Sequence, residues 1–539
     1  MVGRRPASRS PRPSTMRPRF ALAVSFTLAA TAVAQRPLLT RIAAPPADAV
    51  AWNAAEVARH RQVLHAEFVT VDGRALFGAF QRRDAQVRTL AVEGASLVVD
   101  LAPQAESWGH AVFLGRVRGT DGPVVLAIAP DGTTSGHGRF GDRAFSLLPY
   151  GADGVHVLHE VRADPFDPTR PELAEPAPPD AGGEVVYEPL NPSDTVLDLA
   201  VFYTPRARGN AGSTATMEAA IVNAVAMANA TNQASNVAAQ FRLVHLAETN
   251  YVEDGSSADL SRFRITNDGI MDEVHAARTT YGADLMHLIT DPVTAQYCGV
   301  AALMTNLSTG FRTNAFGVTL RTCFSGNTLA HEMGHNLGCH HDRANAGTAI
   351  FPYSYGYRTP DSAYRTTMSY APGSRALVWS SPQVTYQGYT MGVANSEDNA
   401  RSITNTKATV AAFYPTRVLE WCHVPGGIDG TFGEPLISGS GWIAVPTSLR
   451  LTLSRYRLFT SGVLVIGGSL FDQPVLGGRL VPTPDLILPV SGIGAPIDLD
   501  MSAIALLAPS TPLWLQAFFL DPVAVQGVSA TDGVKVIRP

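Results

Sequence analysis

The chain has 539 residues, a formal net charge of -5 and 16% charged residues, with 47 glycines and 38 prolines. It is too long for one ordinary hydrophobic core, and its glycine and proline content predicts several loop-rich or strand-rich units. A mildly acidic, sparsely charged chain carries no electrostatic footprint for nucleic acid.

Residues 1–34 read as a signal peptide. A basic start from Arg4-Arg5 to Arg19 precedes an apolar run from Phe20 to Ala34, and Ala32-Val33-Ala34 supplies small residues for cleavage before Gln35. The run is too short and too cleavable for a membrane span, so export is expected, with Met16 a second candidate start. From 35 to 163, runs such as Ser96 to Leu101, His110 to Leu114 and Pro123 to Ile128 alternate with Gly and Asp turns, which predicts a β-rich region. Residues 164–194 are rich in Pro, Asp and Glu and offer too little apolar surface to offset ordering entropy; an exposed linker is expected there.

From 195 to 417 the pattern changes to alternating strands and helices. Strands are predicted over Val196 to Tyr203, Phe241 to Leu246, Asp284 to Ile289 and Gly317 to Leu320, and helices over about 213 to 236, Asp268 to Tyr281 and Lys407 to Tyr414. Such alternation predicts an α/β unit with a cleft along one sheet edge. Within it, His331-Glu332-Met333-Gly334-His335-Asn336-Leu337-Gly338-Cys339-His340-His341-Asp342 carries the chemistry. On a helix, His331 and His335 project from one face and can share one ion, with Glu332 beside them. Gly338 can take a backbone conformation closed to other residues, so the helix can end there and turn His341 back as a third ligand. Three imidazoles leave one zinc position open, the condition for catalysis rather than structure, and Glu332 is placed to deprotonate water there. His340 lies out of register and reads as a non-ligand. His275 and His287 lack partners at ligand spacing and read as structural. A structural zinc site would have no use for Glu332, and Cys339 in a packed helix is a poor nucleophile.

These residues resemble the metzincin superfamily of zinc endopeptidases, and most closely its adamalysin or reprolysin branch, in which the third histidine is followed by aspartate as His341 is by Asp342. The resemblance implies a downstream methionine turn, matched by Thr366-Thr367-Met368-Ser369-Tyr370-Ala371-Pro372. It assigns Met368 a place under the metal and Asp342 a supporting rather than ligating role. The Met368-Ser369-Tyr370 triplet is closer to the serralysin and astacin turn, which leaves Tyr370 either a switchable ligand and transition-state stabiliser or a packed ring. The expected fold is a mixed twisted sheet plus helices, and the expected activity is hydrolysis of protein or peptide substrates without a covalent intermediate. The region 35–163 then takes the position of a propeptide. It contains no cysteine, so latency by a propeptide thiol is excluded and would need steric cover or another ligand.

All four cysteines, Cys298, Cys323, Cys339 and Cys422, lie beyond the leader, and an even number in an exported chain permits two disulfides. The resemblance favours Cys298 with Cys323, which bracket what looks like its substrate-edge strand. Cys339 with Cys422 is the weaker second pair, and sequence alone leaves three complete connectivities. Calcium supports related secreted folds, yet no Asp and Asn run here has the spacing of a calcium loop.

Residues 418–539 contain short apolar or alternating runs between Gly and Pro turns and predict an all-β, sandwich-like accessory module. Positioning substrate, binding a surface polymer and stabilising the enzyme all remain open for it. The main expectation is a secreted zinc metalloendopeptidase; the rival is a catalytically inactive, protease-like binding or adhesion protein. The intact set around Glu332 favours the former.

Overall fold

The computed structural model describes residues 36–537, except 60–62, 93–94, 105–106, 121, 141–142, 151–153, 163–170, 179–194, 443–444, 493–495 and 509–510. The expected signal peptide lies outside the described residues.

The N-terminal region forms a ten-stranded sheet, antiparallel but for the pairing of its first two-residue strand. Its core gathers Leu90, Val99, Phe113, Leu126, Phe145 and Leu158. Two helices that the strand-like texture did not announce, Ala47–Arg59 and Gly73–Gln81, accompany it. The second is capped by the Asp72 side chain, which accepts from the Ala75 backbone N–H.

Residues 195–417 and the preceding strand Glu172–Pro176 build a six-stranded mixed sheet in the order Glu172–Pro176, Gly299–Leu303, Phe316–Leu320, Leu285–Thr290, Thr195–Tyr203, Ala239–Glu248. Gly299–Leu303 runs antiparallel to Phe316–Leu320, and the other pairings are parallel. The long helix Thr214–Ala234 buries nearly its whole surface. It packs on this sheet with one side and on the N-terminal sheet with another, so Val112, Val125 and Ala127 share a core with Ile221, Val225 and Leu329. Asn223 of this helix donates to the carbonyl of Val125 at 3.0 Å. Arg321 forms a buried ion pair with Glu56 at 2.8 Å across the same junction.

One expectation is corrected. The described part of the 164–194 stretch is not an exposed linker: Glu172–Pro176 adds in parallel to the sheet edge, pairing Glu172 with Gly299, and Glu172 is 4% exposed. Backbone pairing and one buried ion pair compensate for the poor apolar content of this segment.

The C-terminal residues form a six-stranded and a three-stranded β-sheet with a shared core, in which Leu449, Leu451 and Leu453 meet Leu464, Leu515 and Phe519. No described helix is long and apolar enough to cross a membrane.

Candidate metal centre

The helix Thr328–Asn336 is buried along its full length. Asn336 ties it to the sheet by donating to the carbonyls of Ala302 at 2.9 Å and Phe316 at 3.2 Å. Leu337 closes the helix, and Gly338 follows with φ +81°, a conformation that lets the chain reverse. The strand His340–Asp342 then runs back and pairs with Tyr355–Gly356. The turn predicted at Gly338 therefore returns His341 to the helix.

His331, His335 and His341 converge. The Nε2 atom of His341 lies 3.1 Å from Nε2 of His331 and 3.1 Å from Nε2 of His335. The Nδ1 atoms point away: His331 Nδ1 lies 2.8 Å from the carbonyl oxygen of Thr367 and His335 Nδ1 2.8 Å from that of Cys339. Those carbonyls fix the tautomer with the proton on Nδ1 and turn Nε2 inward as a lone-pair donor. Burial pushes the His331 imidazole down to about 3 and holds His335 and His341 well below the usual histidine value. Three neutral nitrogens crowded together and facing one point suit a divalent cation such as zinc, and no other described group of His, Cys, Asp or Glu converges this way.

Glu332 is fully buried, and neither carboxylate oxygen has a hydrogen-bond partner. Burial first, and the charge of Glu172 second, raise its carboxyl well above the ordinary value. Opposite it, Gly299 has no side chain: a β-carbon there would stand 2.7 Å from the Glu332 carboxyl carbon. The edge strand thus meets the carboxylate with bare backbone.

The remaining predicted residues are placed as follows. Met368 is buried beneath the helix, its sulfur against the α-carbon face of Gly334. Asp342 is not one of the three converging residues. Its Oδ1 accepts from Arg358 at 2.9 Å, and its Oδ2 accepts the backbone N–H of Tyr370 at 3.0 Å. The Tyr370 ring lies 4.4 Å from that of His341, centroid to centroid, and its hydroxyl donates to the carbonyl of Glu172. His340 is outside the triad and accepts from Gly347 N–H at 3.0 Å. His275 faces the Ile265 carbonyl, and His287 pairs with Thr319, both as structural residues. Cys298 and Cys323 are disulfide-bonded. The second disulfide is corrected: Cys339 is buried with its thiol toward the Asn399 carbonyl, Cys422 is exposed on the first strand of the C-terminal module, and both are free.

Sequence reasoning missed three neighbours of this centre. Glu172 is gripped by Arg375, with Nη1 2.7 Å from Oε1 and Nη2 on Oε2, and Thr328 donates to Oε1 at 2.8 Å. Burial alone would raise the Glu172 carboxyl, but the Arg375 charge overrides it and holds the group well below the carboxylate range. Glu172 Oε2 also lies 3.5 Å from His331 Nδ1. With His331 neutral, that approach is a polar contact rather than an ion pair. The one available signal was the position of Arg375, seven residues past Met368 and close behind the methionine turn.

Residues 193–380 match the model of metallo-peptidase family M12. A peptidyl-Asp metalloendopeptidase of Xanthomonas campestris pv. campestris is 32% identical over 409 residues, which cover 72% of this chain and 92% of that protein. This chain belongs to the peptidyl-Asp metalloendopeptidase family. A second relative of that name, from Stenotrophomonas maltophilia, is 32% identical over 55% of this chain and 72% of its own length. The chain is therefore a metalloendopeptidase whose metallopeptidase domain is accompanied by further β-rich regions, and its substrates are proteins.

Proposed function

We propose that this metalloendopeptidase is exported, uses one zinc ion on His331, His335 and His341, and cuts protein chains at bonds flanked by aspartate. In this reading it is an adamalysin-like metzincin with a Met368-Ser369-Tyr370 turn. A zinc ion held by these three histidines would supply a Lewis acid that polarises the scissile carbonyl and acidifies water. Glu332 accepts the proton of the attacking water and passes it to the leaving amine, a role suited to a carboxyl whose affinity for protons is raised by burial. Asp342 and Met368 hold the ligands in place. Tyr370 packs on His341 and presents its hydroxyl to a peptide lying along Gly299–Leu303. Residues 35–163 together with the strand Glu172–Pro176 act as a propeptide, with the peptide backbone of that strand on the substrate edge. The relatives' name supports the aspartate preference, and the disulfide supports export.

The observation that carries the reading is Glu332: a carboxylate fully buried without a hydrogen bond, one residue from a converging ligand, is costly unless it serves a reaction. Casein hydrolysis by the purified protein, with Glu332→Ala beside it and zinc quantified in both, tests this. Activity in the parent alone, with zinc in both, is expected; zinc in both and cleavage in neither would favour an inactive binding protein.

A further inference from the structure

The socket that holds Glu172 is built from the catalytic unit, while the carboxylate in it comes from the segment ahead of that unit. Arg375 is 3% exposed. Its Nη1 also donates to the Gly326 carbonyl at 2.8 Å. Its backbone is tied by the pairing of Ser374–Arg375 with Tyr364–Arg365. The fork is thus oriented by contacts other than Glu172. Thr328, which supplies the third donor, lies one helical turn before His331 and on the same helix. Glu172 Oε2 stands 3.5 Å from the ring of that ligand. Whatever fills the socket is therefore within one side chain of the metal centre.

The backbone beside it points the same way. Glu172 pairs with Gly299, whose missing side chain faces Glu332, so residue 172 sits on the sheet edge at the level of the catalytic carboxylate. A peptide laid along that edge offers a side chain to the same place.

We propose that Arg375, with Thr328, is the specificity-determining element of the cleft: it takes the carboxylate of an acidic substrate residue flanking the scissile bond, and Glu172 occupies it in the full-length chain. This rests on the aspartate-directed reading above. The chemistry follows from the donor set. A buried guanidinium is always charged and presents a planar fork that fits a carboxylate through two parallel hydrogen bonds. An amide of the same shape leaves one of those donors facing another donor and the buried charge without its counter-ion, so the socket rejects Asn far more strongly than size would suggest.

The test uses enzyme collected from expression of the full chain and three peptides that differ at one position, Asp, Glu or Asn, with the cut bond located by mass spectrometry. The parent is expected to cut beside the acidic residue and to prefer Asp over Asn by roughly 100-fold in kcat/KM. In Arg375→Gln that ratio should collapse toward unity, and Arg375→Lys, which keeps the charge but loses the fork, should fall between. Bound zinc and a melting curve for each variant show that the fold and the metal are retained. Should Arg375→Gln not accumulate, Thr328→Val and Arg375→Lys carry the test, and each should lower the ratio. An unchanged ratio in the variants, or a parent that cuts all three peptides alike, overturns the proposal and leaves the endopeptidase standing. A parent that cuts neither these peptides nor casein brings down the functional reading, and the subsite with it.

Discussion

Asp342 accepts the backbone N–H of Tyr370 at 3.0 Å, so the residue after the third histidine is joined directly to the turn after Met368. Asn345 donates to both of its oxygens, at 2.9 and 3.0 Å, and Arg358 to one. His341 comes from a three-residue strand and has no helix to hold it, so its position depends on this carboxylate. Asp342→Ala should weaken zinc affinity by roughly 10- to 100-fold while Glu332 stays in place. Titration with a competing chelator measures it; an affinity within twofold of the parent would show that the Met368 turn holds His341 unaided.

Gly299 faces Glu332 so closely that any β-carbon displaces the carboxylate. On the role proposed for Glu332, Gly299→Ala should lower kcat by at least about 10-fold, since a general base moved by an ångström loses its line to the attacking water. The three ligands are untouched, so bound zinc should equal that of the parent. Parallel kinetics and metal analysis separate this outcome from a general loss of fold.

Much of the metal centre was legible because it is local. His331, Glu332 and His335 lie within five residues, and Gly338 explains the return of His341 within the same stretch. The long helix at 214–234 and the strands of the catalytic sheet were legible from periodicity, with shifted ends where side chains intervene. The helix expected from Asp268 starts at Asp272, because Asp272 instead accepts the N–H groups of Asn267 and Gly269 and stabilises a loop. The closing helix expected from Lys407 begins at Asn399, capped by Asp398. Glu172 and Arg375 were not legible. They are 203 positions apart, strand addition at a sheet edge works through backbone groups that leave no side-chain pattern, and the surrounding Pro, Asp and Glu read as solvated chain.

Cys298 and Cys323 close a loop of 25 residues that contains the edge strand Gly299–Leu303. Replacing both by Ser should cost about 3 kcal/mol of stability, the loop-closure entropy no longer removed from the unfolded chain. Denaturant unfolding of the double variant checks this. The two remaining thiols give an independent reading: one, Cys422, should react with a thiol reagent in the native protein, and Cys339 only after unfolding.

His287 is buried at the Thr319 hydroxyl, 2.8 Å away, and burial pushes its imidazole down to about 3. The unfolded chain takes up a proton on this residue below about pH 6.5 while the folded chain does not, so stability is fully present above that pH and falls as the solution is acidified toward 3. Between pH 6.5 and 5 the loss from this one group is about 2 kcal/mol. His156 and His245, both pushed down to about 4 by burial, add losses of the same sign. His287→Gln should flatten the pH dependence of melting over that window. A slope identical to the parent's would mean that His287 takes up its proton alike in the folded and the unfolded chain.

Glu172→Gln tests the same region from the side of the N-terminal segment. The substitution preserves shape but leaves the Arg375 guanidinium buried without this counter-charge, and breaking a buried pair from one side costs roughly 3 to 5 kcal/mol. The strand Glu172–Pro176 is held to the sheet by five paired positions and by this contact, so the cost should appear as detachment of the strand rather than collapse of the catalytic core. In the full-length chain, a protease added at low level should therefore cut between residues 163 and 194 several-fold faster in Glu172→Gln than in the parent, while the main melting transition moves little. Equal cutting rates would mean that backbone pairing and the contacts of Tyr370 and Thr328 retain the strand, and that its release requires cleavage rather than loss of the charge.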